Sequence, residues 1–273
     1  MAYPEFVNNQ KKQNLGKFPS INRENPNAIS KRFQTFNQLI LNTITMPVNT
    51  TQKKKILQVV NVFETGTPAG KYDNISVYAD GPVVNGQKIK QITYGRSQTT
   101  EFGVLKILVQ QYIANHGQYA AALQPYANRI GKMPSLHTDA ALKNTLKKAG
   151  SDPIMKSTQD SFFDQLYYQP AYAWYAAMKF TLPLSMLVIY DSFIHSGSIL
   201  PFLRNSFPES VPKNGGDEKT WIKQYVAARD NWLRHHSNSV LRNTVYRTEC
   251  FQDAINKNNW DLSKSINANG TMI

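Results

Sequence analysis

The segment that most constrains the fold is an apolar stretch that ends in one carboxylate. Residues 56–63, Ile-Leu-Gln-Val-Val-Asn-Val-Phe, have the apolar spacing of a buried helix, and Glu64 follows them directly. The run Thr-Gly-Thr-Pro-Ala-Gly comes next and contains strong helix breakers. Thr50 or Thr51 is the expected N-cap. The sequence therefore predicts a core helix that carries an acidic group in its last turn.

A second acid, Asp80, lies sixteen residues further along in the turn sequence Tyr-Ala-Asp-Gly. Burial disfavours the charged form of a carboxyl group, whereas an acid in a polar turn stays ionised. Two carboxyls with different pKa values can split a glycosidic bond, one as the acid and the other as the base or nucleophile. Asp73 competes for the second role, although Asp-Asn is an ordinary turn signal.

The composition is that of a globular protein with an excess of positive charge. The 273 residues are 41% hydrophobic, and 31 Lys and Arg against 18 Asp and Glu give a net charge of +13. This excess suggests a polyanionic partner, but the basic residues are spread along the chain and no nucleic-acid-binding motif is present. No apolar run approaches the roughly 20 residues of a membrane span. We therefore expect neither a nucleic-acid nor a membrane partner.

The sequence lacks the motifs of metal, nucleotide and nucleophilic chemistry. Its five His residues form no HExxH motif, and the single Cys250 excludes an intrachain disulfide. No GxSxG, GxGxxG or P-loop motif occurs. The expected chemistry therefore uses carboxylates, with no cofactor and no metal.

One short sheet interrupts an otherwise helical pattern. Residues 1–28 are predicted to form an extended arm, and residues 29–273 a single two-lobed catalytic domain. A helix is expected after Ser30, and turn dipeptides between Tyr72 and Tyr94 predict antiparallel hairpins. The predicted fold class is α+β, mostly α-helical, with two lobes and a small antiparallel sheet lining a substrate cleft. The later helices are predicted near residues 99–116, 118–128, 135–149, 155–168, 170–180, 183–196, 218–235 and 239–257.

Further segments, taken together with Glu64 and Asp80, carry a resemblance to a known family. Residues 91–103 read Gln-Ile-Thr-Tyr-Gly-Arg-Ser-Gln-Thr-Thr-Glu-Phe-Gly, and residues 188–197 read Val-Ile-Tyr-Asp-Ser-Phe-Ile-His-Ser-Gly. With the helix that ends in Val-Phe-Glu, this order resembles the chitosanases of glycoside hydrolase family 46, relatives of the lysozyme superfamily. The resemblance runs from about residue 50 to residue 260 and implies a lysozyme-like fold.

The resemblance also implies a role for each matching acid. Glu64 corresponds to the general acid, and Asp80 to the base that activates water in a hydrolysis with inversion. Glu101 corresponds to an acidic sugar-binding position. The charge network that supports the acid in this family corresponds here to three residues, Asp191, Arg229 and Arg247.

The chain departs from the family pattern after Asp80, where residues 82–90 form an insertion. The insertion leaves two candidates for the residue that orients the attacking water, Thr93 and Gln91, of which Thr93 is our choice.

The function implied by the resemblance is that of an endo-acting chitosanase, which hydrolyses β-1,4 bonds between glucosamine units of chitosan with inversion. The alternatives are a lysozyme-like hydrolase of peptidoglycan or partly acetylated chitin, and a non-catalytic basic protein that binds cell wall or nucleic acid. The presence of both acids disfavours the non-catalytic alternative. We expect a monomer with a polysaccharide substrate, in an extracellular location with its signal absent from this sequence; a cytoplasmic location stays open.

Overall fold

The computed structural model describes residues 48–96 and 98–273. The arm predicted for residues 1–28 and the helix predicted after Ser30 lie outside the described residues. The chain divides into two compact units. The first unit contains residues 48–70 and 167–273 of the described chain, and the second contains residues 71–96 and 98–166.

The described elements are mainly helices, together with short antiparallel strands, so the predicted α+β class is confirmed. In chain order they are α1 (Thr50–Thr65), β1 (Ile75–Tyr78), β2 (Val83–Val84), β3 (Gln87–Lys88), β4 (Gln91–Tyr94), β5 (Thr99–Thr100), α2 (Leu105–Ala114), α3 (Ala120–Leu123), a 3₁₀ turn (Gln124–Tyr126), α4 (Ala140–Ala149), α5 (Pro153–Phe163), a π-helical turn (Asp164–Tyr168), α6 (Gln169–Ala177), α7 (Pro183–Ser196), α8 (Pro201–Arg204), a second 3₁₀ turn (Pro212–Asn214), α9 (Glu218–Arg234), α10 (Ser239–Arg242), α11 (Tyr246–Asn256), β6 (Asn267–Ala268) and β7 (Thr271–Met272). Within the described residues, no helix has both the length and the apolar character that crossing a membrane requires.

Both ends of α1 are fixed by capping interactions. The N-cap is Asn49 rather than the predicted Thr50 or Thr51, because Asn49 and Gln52 exchange side-chain and backbone hydrogen bonds in a capping box. At the other end Gly66 adopts the left-handed conformation with φ of 75°, and its N–H bonds to the carbonyl of Val62. The predicted stop after Glu64 therefore occurs within two residues of its expected place.

Helix α7 is the core of the first unit. Most of its side chains are buried, including Asp191, and it packs against α1, α6, α9 and α11. A helix that is apolar on all sides is stable only when neighbours surround it. The charged groups that face Asp191 must therefore come from these neighbouring helices.

The second unit contains a three-stranded antiparallel sheet in the order β1-β4-β5 and a separate hairpin of β2 and β3. The hairpin turns at Asn85 and Gly86, whose φ angles of 51° and 77° are those of the type I′ turn that Asn-Gly favours. In the larger sheet Tyr78 lies opposite Gln91, which fixes the position of the chain that follows β1.

Some predicted helices differ from the structure; the helix predicted near residues 135–149, for example, begins at Ala140, after its N-cap Asp139. The helix predicted near residues 99–116 begins only at Leu105, because Thr99 and Thr100 form β5 and pair with β4. Threonine is β-branched, so it fits a strand as well as a cap, and pairing with β4 decides between them. The helix predicted over residues 239–257 is interrupted where the Thr244 hydroxyl bonds to the carbonyl of Leu241, in competition with the helical backbone.

Candidate active site

In the first unit, a chain of buried ion pairs leads to Glu64. One guanidinium nitrogen of Arg247 donates to Glu64 Oε1 at 2.6 Å, and the other donates to Asp191 Oδ1 at 2.5 Å. The second oxygen of Asp191 accepts from Arg229 at 2.8 Å. All four residues are at most 4% exposed. We call Glu64, Arg247, Asp191 and Arg229 the ion-pair network.

The charges of the ion-pair network balance when all of its members are ionised. Removing an ion from water costs several kcal/mol, on the order of 20 kcal/mol in the idealised limit, so a buried ion needs close partners. Asp191 obtains two, one for each oxygen. Burial would lower the pKa of Arg247, but the attraction of Asp191 opposes this effect and the pKa is raised. Arg247 therefore stays protonated between the two acids.

Aromatic rings hold Arg247 in this position. Its guanidinium lies 5.2 Å from the centre of the Phe63 ring and 5.8 Å from that of Tyr246. The Tyr246 hydroxyl donates to the carbonyl of Phe63 at 3.2 Å, which ties the start of α11 to the last turn of α1. A cation over an aromatic face is attracted by the ring quadrupole. Arg247, which binds Glu64, is therefore held in place by aromatic residues of both α1 and α11.

In the second unit, Asp80 follows β1 and its carboxylate accepts a hydrogen bond from a glutamine. The side-chain nitrogen of Gln91 donates to Asp80 Oδ1 at 3.0 Å, and its carbonyl accepts from the backbone N–H of Phe102 at 3.1 Å. Gln91 is 4% exposed, whereas Asp80 is half-buried. The Gln91 amide is thus fixed at both ends and positions the carboxylate of Asp80.

Thr93 lies on the same face of β4 as Gln91, because residues two apart on a strand point the same way. Its side chain is almost fully buried, and within the described contacts its hydroxyl has no hydrogen-bond partner. A buried hydroxyl without a hydrogen-bond partner costs free energy, and a bound water molecule or ligand can supply the missing hydrogen bond. Of the two candidates for the water-orienting residue, Gln91 is engaged by Asp80 and Phe102, and Thr93 has an available hydroxyl.

Glu101, the predicted sugar-binding acid, lies in the interior of the second unit. It is fully buried, and its oxygens accept from the N–H of Leu136 at 2.6 Å, the hydroxyl of Ser135 at 2.8 Å and the N–H of Ile92 at 3.2 Å. These contacts join the loop at residues 135–136 to β4 through Glu101. The sugar-binding role of Glu101 stays a prediction.

The Gly-Arg pair after β4 is anchored to α5. Gly95 has φ of 82°, and a Cβ at this position would lie 2.5 Å from the side-chain oxygen of Gln159, so only glycine fits. The same oxygen accepts from the N–H of Arg96 at 3.0 Å, and Arg96 pairs with Asp160 at 3.1 Å. Burial, followed by the hydrogen bond to Asp160, raises the pKa of Tyr72 to about 12, so Tyr72 remains a neutral donor. The sequence did not predict this anchor, because its two halves are far apart along the chain.

Residues 58–266 match the family model described as glycosyl hydrolase family 46. The chain belongs to this family. A chitosanase of Bacillus subtilis (strain 168) is 26% identical to this family 46 protein over 235 residues, which cover 80% of this chain and 82% of the relative.

Solved structures of chitosanases show the same fold as this family 46 protein. A Gynuella sunshinyii family 46 chitosanase in complex with chitotetraose matches with a TM-score of 0.65 and 21% identity, covering 83% of this chain and 98% of that chain. A native chitosanase from Bacillus subtilis MY002 matches with a TM-score of 0.63 and 23% identity, covering 83% of this chain and 99% of that chain.

The ion-pair network predicts a coupled loss of stability. Arg247→Ala leaves Asp191 buried with one cation fewer, which typically costs about 3–5 kcal/mol, and we expect a melting temperature several degrees lower. Asp191→Ala should cost a comparable amount, and the double variant should lose less than the sum of the two. Thermal melts of the single and double variants measure this coupling.

Arg234→Ala is the matched control for the network. Arg234 pairs with Asp230 at 2.7 Å but is 45% exposed, and exposed pairs contribute about 0–1 kcal/mol. Its melting temperature should stay close to that of the unaltered protein. Strictly additive losses for Arg247→Ala and Asp191→Ala would contradict the network.

Proposed function

We propose that this family 46 protein is an endo-acting chitosanase that hydrolyses β-1,4 bonds between glucosamine units of chitosan with inversion. The observation that carries the proposal is the family match over residues 58–266, a range that contains both Glu64 and Asp80. It is supported by the similar chitosanase of Bacillus subtilis and by a similar mutant chitosanase whose structure is a complex with 6 GlcN. In this proposal the active enzyme is an extracellular monomer, and its catalytic domain spans residues 29–273.

Glu64 is the general acid in this proposal. A general acid donates its proton to the leaving glycosidic oxygen and is left as a carboxylate. The guanidinium of Arg247, 2.6 Å from Glu64 Oε1, stabilises that carboxylate after the proton has left. Asp191 holds Arg247 in turn, so the rest of the ion-pair network acts on the acid by fixing its partner.

Asp80 is the base that removes a proton from the attacking water. Inverting glycosidases leave room for this water by keeping their two carboxyls about 6.5–9.5 Å apart. The Thr93 hydroxyl orients the water, a role supported by its burial and by the absence of a partner for it in the described contacts. Gln91 keeps one oxygen of Asp80 engaged and so limits the rotation of the carboxylate.

The positive charge of the chain does not preclude a polycationic substrate. The electrostatic field inside a site depends mainly on the groups nearest to it and on its dielectric surroundings. The net charge of +13 therefore does not by itself decide whether a glucosamine polymer can bind.

Substitution of the two acids tests the function. Glu64→Gln cannot donate the acid proton, and Asp80→Asn cannot accept one, so each should lower kcat by at least about 10²–10⁴-fold. Asp73→Asn, at an exposed turn, should retain most of the activity. The measurement is reducing-sugar release from chitosan, chitin and peptidoglycan side by side. Near-normal turnover by a folded Glu64→Gln protein would refute the assignment, and preference for peptidoglycan would refute the substrate.

Gln91→Met tests the positioning of Asp80. The substitution removes the donor that limits the rotation of the Asp80 carboxylate. We therefore expect kcat to fall about tenfold or more while KM stays close to its normal value, because substrate binding is not affected. Gln87→Met, at an exposed position of β3, is the matched control and should leave both constants unchanged. An unchanged kcat, or a rise in KM alone, would show that Gln91 does not position Asp80.

A further inference from the structure

A shallow groove in the first unit lies apart from the ion-pair network. Its volume is about 590 Å³, and it is formed by α8, the loop that follows it, and α9. This volume falls in the range of about 300–1,000 Å³ that is typical of small-molecule sites. No member of the ion-pair network lines it. We call it the α8–α9 groove.

Two aromatic rings form the apolar part of the groove. Phe202 is 50% exposed and Trp232 is partly exposed. Their centroids are 5.6 Å apart with an interplanar angle of 67°, an edge-to-face arrangement, and His236 meets Trp232 edge-on at 5.3 Å. Such contacts hold the rings in place. The groove therefore presents a fixed aromatic surface to solvent.

The polar part of the groove is neutral. None of its ten lining residues carries a charge. The carbonyl of Gln224 accepts from the N–H of Glu209 at 3.1 Å, and within the described contacts its NH₂ group has no partner. Ser206 donates to the carbonyl of Leu203 and retains acceptor capacity, and Asn231 is exposed. The groove thus offers neutral donors and acceptors next to the rings.

An arginine behind the groove fixes its loop. Arg204 donates to the carbonyls of Glu209 at 2.7 Å and Phe207 at 3.2 Å, and its guanidinium lies 4.8 Å from the centre of the Phe207 ring. These contacts hold the loop between α8 and α9. A groove that is formed before binding loses little entropy when a ligand arrives.

We propose that the α8–α9 groove is a second carbohydrate site, which binds neutral β-1,4-linked N-acetylglucosamine units. A pyranose ring has an apolar C–H face that can cover an aromatic ring, and its hydroxyl and acetamide groups match the neutral amides. A glucosamine ammonium would lose water without gaining a carboxylate partner, because no acid lines the groove. The inference rests on the proposed function, since it assigns acetylated stretches of the same polymer to this groove.

The test is a titration of the Glu64→Gln protein with the tetramer of N-acetylglucosamine, followed by calorimetry and by the NMR resonance of the Trp232 indole. We expect the resonance to shift, and Trp232→Ala to raise the Kd about tenfold or more, which corresponds to at least about 1.4 kcal/mol. Phe202→Ala, at a half-exposed position, should also weaken binding and serves as the second variant if Trp232→Ala does not fold. Lys223→Ala, an exposed residue of α9 outside the groove, should have no effect.

The opposite outcomes are distinct. An unmoved Trp232 resonance, or an unchanged Kd in both aromatic variants, would refute the proposal that the α8–α9 groove binds sugar. An equal shift with the glucosamine tetramer, or a shift with an apolar peptide but not with the sugar, overturns the neutral-sugar assignment.

Activity separates this inference from the proposed function. If both hold, Trp232→Ala in the otherwise unaltered enzyme cleaves short glucosamine oligomers at the normal rate but degrades long, partly acetylated chitosan more slowly. If only the groove fails, the unaltered enzyme still releases reducing sugar from chitosan while the Trp232 resonance stays unmoved. If only the proposed function fails, the resonance shifts but no reducing sugar is released.

Discussion

The position of Arg247 between Asp191 and Glu64 is the constraint on which the first unit depends. Its guanidinium donates to Asp191 of the core helix α7 at 2.5 Å and to Glu64 in the last turn of α1 at 2.6 Å. Arg229, from α9, completes the charge balance on Asp191. Because an unpaired ion in this interior would be costly, the four helices that supply or hold these groups cannot shift independently. The stability of the fold and the orientation of Glu64 therefore have one physical origin.

The second unit positions its acid by neutral contacts. Asp80 is held by the amide of Gln91, and Gln91 is in turn placed by the pairing of β4 with β1 and by the N–H of Phe102. Glu101 stabilises the same strand from within through donors at residues 135–136. The two acids thus have different surroundings, a cationic one for Glu64 and an amide for Asp80.

The sequence allowed the fold class to be predicted, because its main signals are local. The stop after Glu64, the Asn-Gly hairpin and the apolar helix around Asp191 are each contained in a few neighbouring residues, and the charge network around the acid was implied by the family resemblance. The internal contacts of Glu101 could not be predicted, because its donors lie some 34 residues away and carry no sequence signal. The double contact of Gln91 and the strand formed by Thr99 and Thr100 depend on strand pairing, which local propensity does not determine.

The central claim is that Glu64 supplies a proton and Asp80 removes one. The most direct measurement is the hydrolysis of a glucosamine oligomer that carries a dinitrophenyl leaving group, which departs without protonation. The account predicts that Glu64→Gln cleaves this substrate at a rate close to that of the unaltered enzyme, because the acid is no longer needed, while Asp80→Asn remains inactive. Equal loss of activity in the two variants, or recovery of Asp80→Asn instead, would contradict it.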